Sequence, residues 1–216
     1  MRRRTLLGRA GAAGAFIALS DVLPPAVGDA EAQARRTPAR EPLETLTQAE
    51  ADTLEAITAR LIPTDANGPG AAEARAASYI DRALGGALAD FHDVYRKGLA
   101  SVDAYARNSK GAPLAQLAAA DQDAVLSDLE RNAATGFAGG SAPFFNLVLA
   151  HTVQGTFGDP FYGGNRNFAG WDLIGYPGVR LAVTAEQQNL DAKAAPTHMS
   201  AYDYTMFADR KPERGH

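Results

Sequence analysis

The sequence predicts a mainly α protein: an irregular bundle of about five helices, then a long Gly/aromatic-rich non-helical C-terminal segment. Three observations carry that expectation. Apolar residues recur at three- and four-residue spacing between Leu54 and Phe157. No stretch alternates apolar and polar residues as a half-buried strand would. Beyond Gly158, glycines and prolines interleave with Phe161, Tyr162, Trp171 and Tyr176, which breaks helical periodicity while supplying large contact area.

Each element has its own signal. Thr47-Gln-Ala-Glu50 has the spacing of a capping box, and Leu54, Ile57, Leu61 and Ile62 continue it as an amphipathic helix that Pro63 ends. Asp65-Ala-Asn-Gly-Pro-Gly70 is rich in turn formers. A second helix is expected from Ala71 to about Leu84, with Ala74, Ala77, Ile80, Ala83 and Leu84 on its apolar side, until Gly85-Gly86 stops it. Phe91, Tyr95, Leu99, Val102 and Ala106 form the third stripe; Val125, Leu126 and Leu129 mark the fourth. Ser141 is the expected cap of a fifth helix with Pro143 in its first turn. That helix, Phe144 to about Phe157, is apolar on most sides and is expected to lie at the centre. Near the end, Tyr202, Tyr204, Met206 and Phe207 form an aromatic cluster that either packs back on the domain or docks on a partner.

The N-terminus reads as an export signal. Arg2, Arg3 and Arg4 precede a Gly/Ala-rich apolar run that is too short for a membrane span, and Ala32-Gln33-Ala34 offers a cleavage site. Arg3-Arg4-Thr5-Leu6-Leu7 resembles a twin-arginine signal, although Leu6 and Gly8 depart from the commonest pattern. An ordinary secretory signal with a basic start is the alternative. The expected organisation is a signal over residues 1–34, a flexible leader over 35–45, a helical domain over 46–183 and a tail over 184–216. Removing the signal takes away four arginines and three acids, leaving 17 basic against 22 acidic residues, near −5. Such a chain carries no basic patch for nucleic acid. Its lack of cysteine excludes disulfides, c-type haem attachment and thiolate-held iron–sulfur clusters within the chain.

The chemistry-bearing residues are sparse. The histidines show neither His-x-x-x-His nor Glu-x-x-His spacing, so no metal site is expected. His151, in the apolar fifth helix, reads either as a polar or proton-shuttling site or as a buried histidine bonded to the loop after it. Gly163-Gly164-Asn165-Arg166 could expose amides to an anion, but it lacks the strand–loop–helix setting of a nucleotide fingerprint. Asp159-Pro160 is expected to open a turn with its carboxylate accepting nearby amides. Ser141, His151 and Asp159 supply the residue types of a hydrolytic triad, but Ser141 stands in no nucleophile elbow. No catalytic residue is therefore assigned.

Several blocks together resemble the gluconate 2-dehydrogenase subunit 3 family, the small subunit of periplasmic flavin-dependent sugar and polyol dehydrogenases. They are Leu46-Thr-x-x-Glu50 running into Leu61-Ile-Pro-Thr-Asp65, Tyr79-Ile-Asp81 and Tyr95-Arg-x-Gly-Leu99. Phe144-Phe-x-Leu-Val148, His151-Thr152 and Gly155 follow. The most specific are Phe157-Gly-Asp-Pro-x-Tyr-Gly-Gly-Asn165 and Gly170-Trp-x-Leu-Ile-Gly-Tyr-Pro-Gly178. The resemblance implies a non-catalytic accessory subunit with no cofactor of its own. Its partner would be a FAD-containing large subunit of the glucose–methanol–choline type, with a cytochrome c subunit as a further partner. The small subunit would escort that partner through the twin-arginine translocase into the periplasm, where partners would hold the assembly at the membrane. Docking is then expected at Phe157, Asp159, Phe161, Tyr162, Gly163, Gly164, Asn165, Trp171 and Tyr176. The rival expectation is a free-standing periplasmic enzyme or ligand-binding protein using His151 and Asp159, and a third is an envelope protein with no redox partner.

Overall fold

Thr47 and Glu50 open the first helix with the reciprocal bonds that their spacing predicts. The Thr47 N–H donates to the Glu50 carboxylate at 2.8 Å, and the Glu50 N–H donates back to the Thr47 hydroxyl at 3.4 Å. The computed structural model describes residues 41–208 apart from 190 and 193; the signal arginines Arg3 and Arg4 lie outside the described residues. Seven α-helices and no strand occur among the described residues. They are α1 (Gln48–Leu61), α2 (Ala76–Leu84), α3 (His92–Lys110), α4 (Ala119–Glu130), α5 (Ala142–Phe157), α6 (Ala169–Leu173) and α7 (Thr205–Ala208).

The mainly α expectation holds, and α5 is central: it touches α1, α2, α3, α4 and α6. Its Phe144 and Val148 join Leu54, Ile80, Leu99 and Val125 in one core, all at most 5% exposed. Close approach to α3 requires Gly98, since a Cβ there would stand 2.2 Å from the Phe144 ring. The segment after Gly158 is irregular as expected, with the five-residue α6 and several single 3-10 turns set into it.

Three local expectations need correction. The second helix begins at Ala76, not Ala71. Gly70 packs so tightly on the end of α1 that a Cβ would meet the Ile62 carbonyl at 2.3 Å. The next five residues form a turn that ends with Arg75 in the left-handed region (φ 58°). Ser141 does not cap α5. It is itself in helical conformation, and its buried hydroxyl donates to the Leu129 carbonyl at 3.0 Å, while the Asn132 side chain accepts from Ala142 N–H at 3.1 Å.

The third correction concerns the leader. Of the expected leader over 35–45, residues 35–40 lie outside the described residues, and the described residues 41–45 are fixed against α2 rather than free. The Asp81 carboxylate, 3% exposed, accepts from the amides of Glu44 (2.7 Å), Thr45 (3.1 Å) and Leu46 (2.7 Å). Glu41 meets Arg75 at 2.6 Å and also pairs with Arg166, while Glu44 pairs with Arg82 at 3.0 Å.

Candidate functional site

The Gly/aromatic block is built outward from the last turns of α5. Gly155 leaves room on one side for α2, where a Cβ would lie 2.9 Å from the Ala76 Cα. On its other side Gly164 comes so near that a Cβ would stand 2.1 Å from the Gly155 carbonyl oxygen. Asn165, fully buried and left-handed at φ 42°, ties the crossing together. Its N–H donates to Gly155 O at 2.7 Å, and its side-chain amide donates to Gly158 O at 2.8 Å. Its side-chain oxygen accepts from Gly170 N–H at 2.8 Å. This asparagine thus satisfies the free end of α5 and the start of α6 together.

The amides of Gly163, Asn165 and Arg166 donate to the carbonyls of Pro160, Gly155 and Ala74, so this loop is not an anion cradle. Trp171 is 4% exposed, and its indole N–H donates to Phe157 O at 2.8 Å. Phe168 and Tyr176 pack on it. Of the residues expected to dock a partner, Gly164, Asn165 and Trp171 are interior, Phe157, Asp159, Phe161 and Gly163 half-buried, and Tyr162 and Tyr176 exposed.

Asp159 plays the structural role its Asp-Pro sequence predicts and one more. Its carboxylate accepts from Phe161 N–H at 2.9 Å, opening the turn. It also accepts the Ser200 hydroxyl at 2.7 Å and Ala201 N–H at 2.9 Å. The C-terminal segment therefore packs back on the domain, as a strap over residues 197–207. Tyr202 stacks on Phe161 with centroids 3.9 Å apart, and its hydroxyl lies 2.6 Å from that of Tyr162. This bond, with burial second, pushes the Tyr162 phenol up to about 12. Val179 N–H donates to Met199 O at 2.8 Å, and the Tyr204 hydroxyl donates to Val179 O at 2.7 Å. His198 stacks on Phe168 and approaches Asp172 at 2.7 Å. The two strap bonds to Asp159 alone are worth about 1.5–3 kcal/mol each. Sequence carried a local signal for this segment, Ser200-x-x-Asp203, which forms a second capping box.

Large apolar side chains are nonetheless left in solvent in the segment after Gly158. Six of the nine exposed ones among the described residues lie after Gly158: Tyr162, Ile174, Tyr176, Leu181, Val183 and Met206. That stretch is under a third of the described chain, so exposure is concentrated there. Concentrated apolar exposure is what a partner-binding surface needs.

His151 lies apart from this block. It is 5% exposed and bonded through Nδ1 to the buried Tyr95 hydroxyl at 2.9 Å, rather than to the loop after α5. The Phe91 ring meets it edge-on at 5.5 Å. Burial pushes the imidazole below its ordinary 6.5 and the Tyr95 phenol up. His151 and Asp159 share no hydrogen-bond partner, and the Ser141 hydroxyl is engaged by Leu129, so the three do not assemble a nucleophilic relay.

A consequence can be read in solution. Because the folded histidine resists protonation, the unfolded chain takes up the proton first as pH falls below 6.5. Stability is expected to decline there, and His151→Gln should flatten the decline in denaturant melts between about pH 5 and 8. An unchanged slope would show that this histidine is not held neutral. Among the described residues no group of three or more His, Asp or Glu could hold a metal ion, and no helix is long and apolar enough to cross a membrane.

Comparison with known proteins adds one finding. A family model described as gluconate 2-dehydrogenase subunit 3 matches residues 48–178, more than half of the chain. No curated protein and no solved structure matches.

Proposed function

The chain belongs to the gluconate 2-dehydrogenase subunit 3 family, and from that premise we propose that it is the accessory subunit that binds, stabilises and escorts a FAD-dependent large subunit. The large subunit is of the glucose–methanol–choline type and oxidises an alcohol or sugar. The flavin and the substrate specificity belong to that partner. Export is by the twin-arginine route suggested by Arg3 and Arg4, a route that carries folded assemblies, and the complex works in the periplasm. A cytochrome c subunit is the further partner for the electrons.

The observation that carries the docking part is the concentration of exposed apolar side chains on a block that is itself rigidly tied. Tyr162 and Tyr176 are 44% and 39% exposed although their neighbours Asn165 and Trp171 are buried. A rigid platform with exposed aromatic rings loses little conformational freedom on binding, which is how a few rings come to dominate an interface.

The test is a pull-down of the tagged mature protein from the native periplasmic or membrane fraction, with flavin absorbance recorded in the eluate. A stoichiometric yellow flavoprotein is expected. Tyr162→Ala or Tyr176→Ala at a true anchor should cost about 2 kcal/mol or more of binding, about 30-fold in Kd, beyond the smaller drop in melting caused by losing the Tyr162–Tyr202 bond or the Tyr176–Trp171 contact. A colourless, solitary chain would sink the accessory reading.

A further inference from the structure

We infer that the strap of residues 197–207 is a detachable cover, held over Asp159, Phe161 and Tyr162 until a segment of the large subunit with the same contact chemistry takes its place. The inference rests on the accessory reading above and deepens it. In the free chain these three residues are occupied by the strap itself. Asp159 accepts the Ser200 hydroxyl and the Ala201 N–H, Phe161 stacks on Tyr202, and the Tyr162 and Tyr202 hydroxyls lie 2.6 Å apart.

The strap can leave without disturbing what lies under it. None of its residues belongs to the hydrophobic core, and Ser200 alone among them is buried. Residues 181–196, which lead to it, are exposed wherever they are described, so they form a tether and not a packed element. Such a tether lets a segment depart and return without moving the block it docks on. Fixing a residue costs conformational entropy of the same order as a hydrogen bond returns. A segment this exposed, held chiefly by hydrogen bonds, therefore opens locally, well before the helices unfold. While closed it weakens capture of a competitor in proportion to the time it spends in place.

The strap's contacts also define what replaces it. The incoming segment must bring a hydroxyl and an N–H to Asp159, because the carboxylate otherwise loses two of the three bonds that it accepts. It must lay an aromatic ring on Phe161 and a polar group against the Tyr162 phenol. Those groups in that order make the start of a capped helical turn, as Ser200-Ala-Tyr-Asp203 does. Charge adds little selection, because the charged groups around the strap are already engaged. Arg82, whose guanidinium lies against Gly163, pairs with Glu44, and Arg166 pairs with Glu41. Asp172 meets His198, and Asp203 accepts from the Ser200 N–H. The occupant is thus a helix start of the large subunit that carries a hydroxyl residue followed by an aromatic one.

Two readouts on the full mature chain test this. In the free chain the amides of Ala201 and Tyr202 should exchange by local opening, about a hundredfold or more faster than those of α5. Ser200→Ala should speed them about tenfold and leave α5 exchange and the melting temperature unchanged. The same variant should capture the flavoprotein severalfold more tightly than the wild-type chain, and binding of the flavoprotein should remove protection from residues 197–207. Strap amides that exchange only together with α5 would show that the strap is a fixed part of the domain. Protection retained in the complex, or capture by Ser200→Ala that is unchanged or weaker, would show that the partner does not compete for Asp159. Each of these results overturns the inference and leaves the accessory role intact. If neither the wild-type chain nor Ser200→Ala captures a flavoprotein, the accessory reading fails and this inference with it.

Discussion

Asp81→Ala is expected to destabilise the domain by about 3–5 kcal/mol, a fall of about 10 °C or more in Tm. The carboxylate is 3% exposed and accepts three amides in a row, those of Glu44, Thr45 and Leu46. Alanine removes all three bonds and strands the buried Leu46 N–H, whose desolvation cost is no longer offset. The Thr45 hydroxyl, which donates to the Asp81 carbonyl at 2.8 Å, loses its fixed approach as well. By contrast, the Glu41 pairs with Arg75 and Arg166 involve groups 17–46% exposed, and exposed pairs are worth about 0.2–1 kcal/mol each. Glu41→Ala should therefore cost clearly less than Asp81→Ala, although it touches more charges. Urea melts of the two variants decide the matter. A loss below about 1 kcal/mol for Asp81→Ala would mean that the leader segment adds nothing to the packing of α1 on α2.

The legible and illegible parts of this molecule divide by sequence separation. The long helices carry local evidence, such as the Thr47/Glu50 box of α1 and the Leu99–Val102–Ala106 stripe of α3. Those signals are local, and the structure follows them to within a few residues except where a distant group intervenes. Gly70 meets the Ile62 carbonyl and delays α2 to Ala76; the Leu129 carbonyl takes the Ser141 hydroxyl from its expected cap. The leader residues 44–46 and the strap are each held by a carboxylate about 35 to 42 residues away, Asp81 for the leader and Asp159 for the strap. A carboxylate on an otherwise apolar helix face is a hint that something must satisfy it, but the sequence does not say which amides will. The same limit applied at the candidate site. The sequence placed the aromatic rings in one block, yet which of them face solvent depends on the Gly155–Gly164 crossing and on Tyr202, and neither is a local property.

Asn165→Ala and Gly164→Ala should separate the platform from the rings it presents. Asn165 is fully buried, and alanine would leave the Gly170 N–H and the Gly158 carbonyl without the partners they now have at 2.8 Å. It would also hold a Cβ-bearing residue without polar compensation at φ 42°. A loss of about 3–5 kcal/mol is expected. Gly164→Ala drives a Cβ to 2.1 Å from the Gly155 carbonyl oxygen, a backbone atom that can yield only if α5 or the loop moves, for about 3 kcal/mol. Trp171 reports on both, because it is the only tryptophan in the chain and its indole is bonded to Phe157 O across this crossing. Its emission should shift to the red in either variant, while far-UV circular dichroism keeps most of the signal of α1 to α5. Unshifted emission with an unchanged melt would show that the crossing does not hold the block. Partner capture should fall in these variants too, but together with the melting temperature. Tyr162→Ala and Tyr176→Ala should lower capture by more than the milder loss of stability that follows from breaking the Tyr162–Tyr202 bond and the Tyr176–Trp171 contact. That difference distinguishes residues that build the face from residues that touch what binds there, and it can be read without knowing which alcohol the partner oxidises.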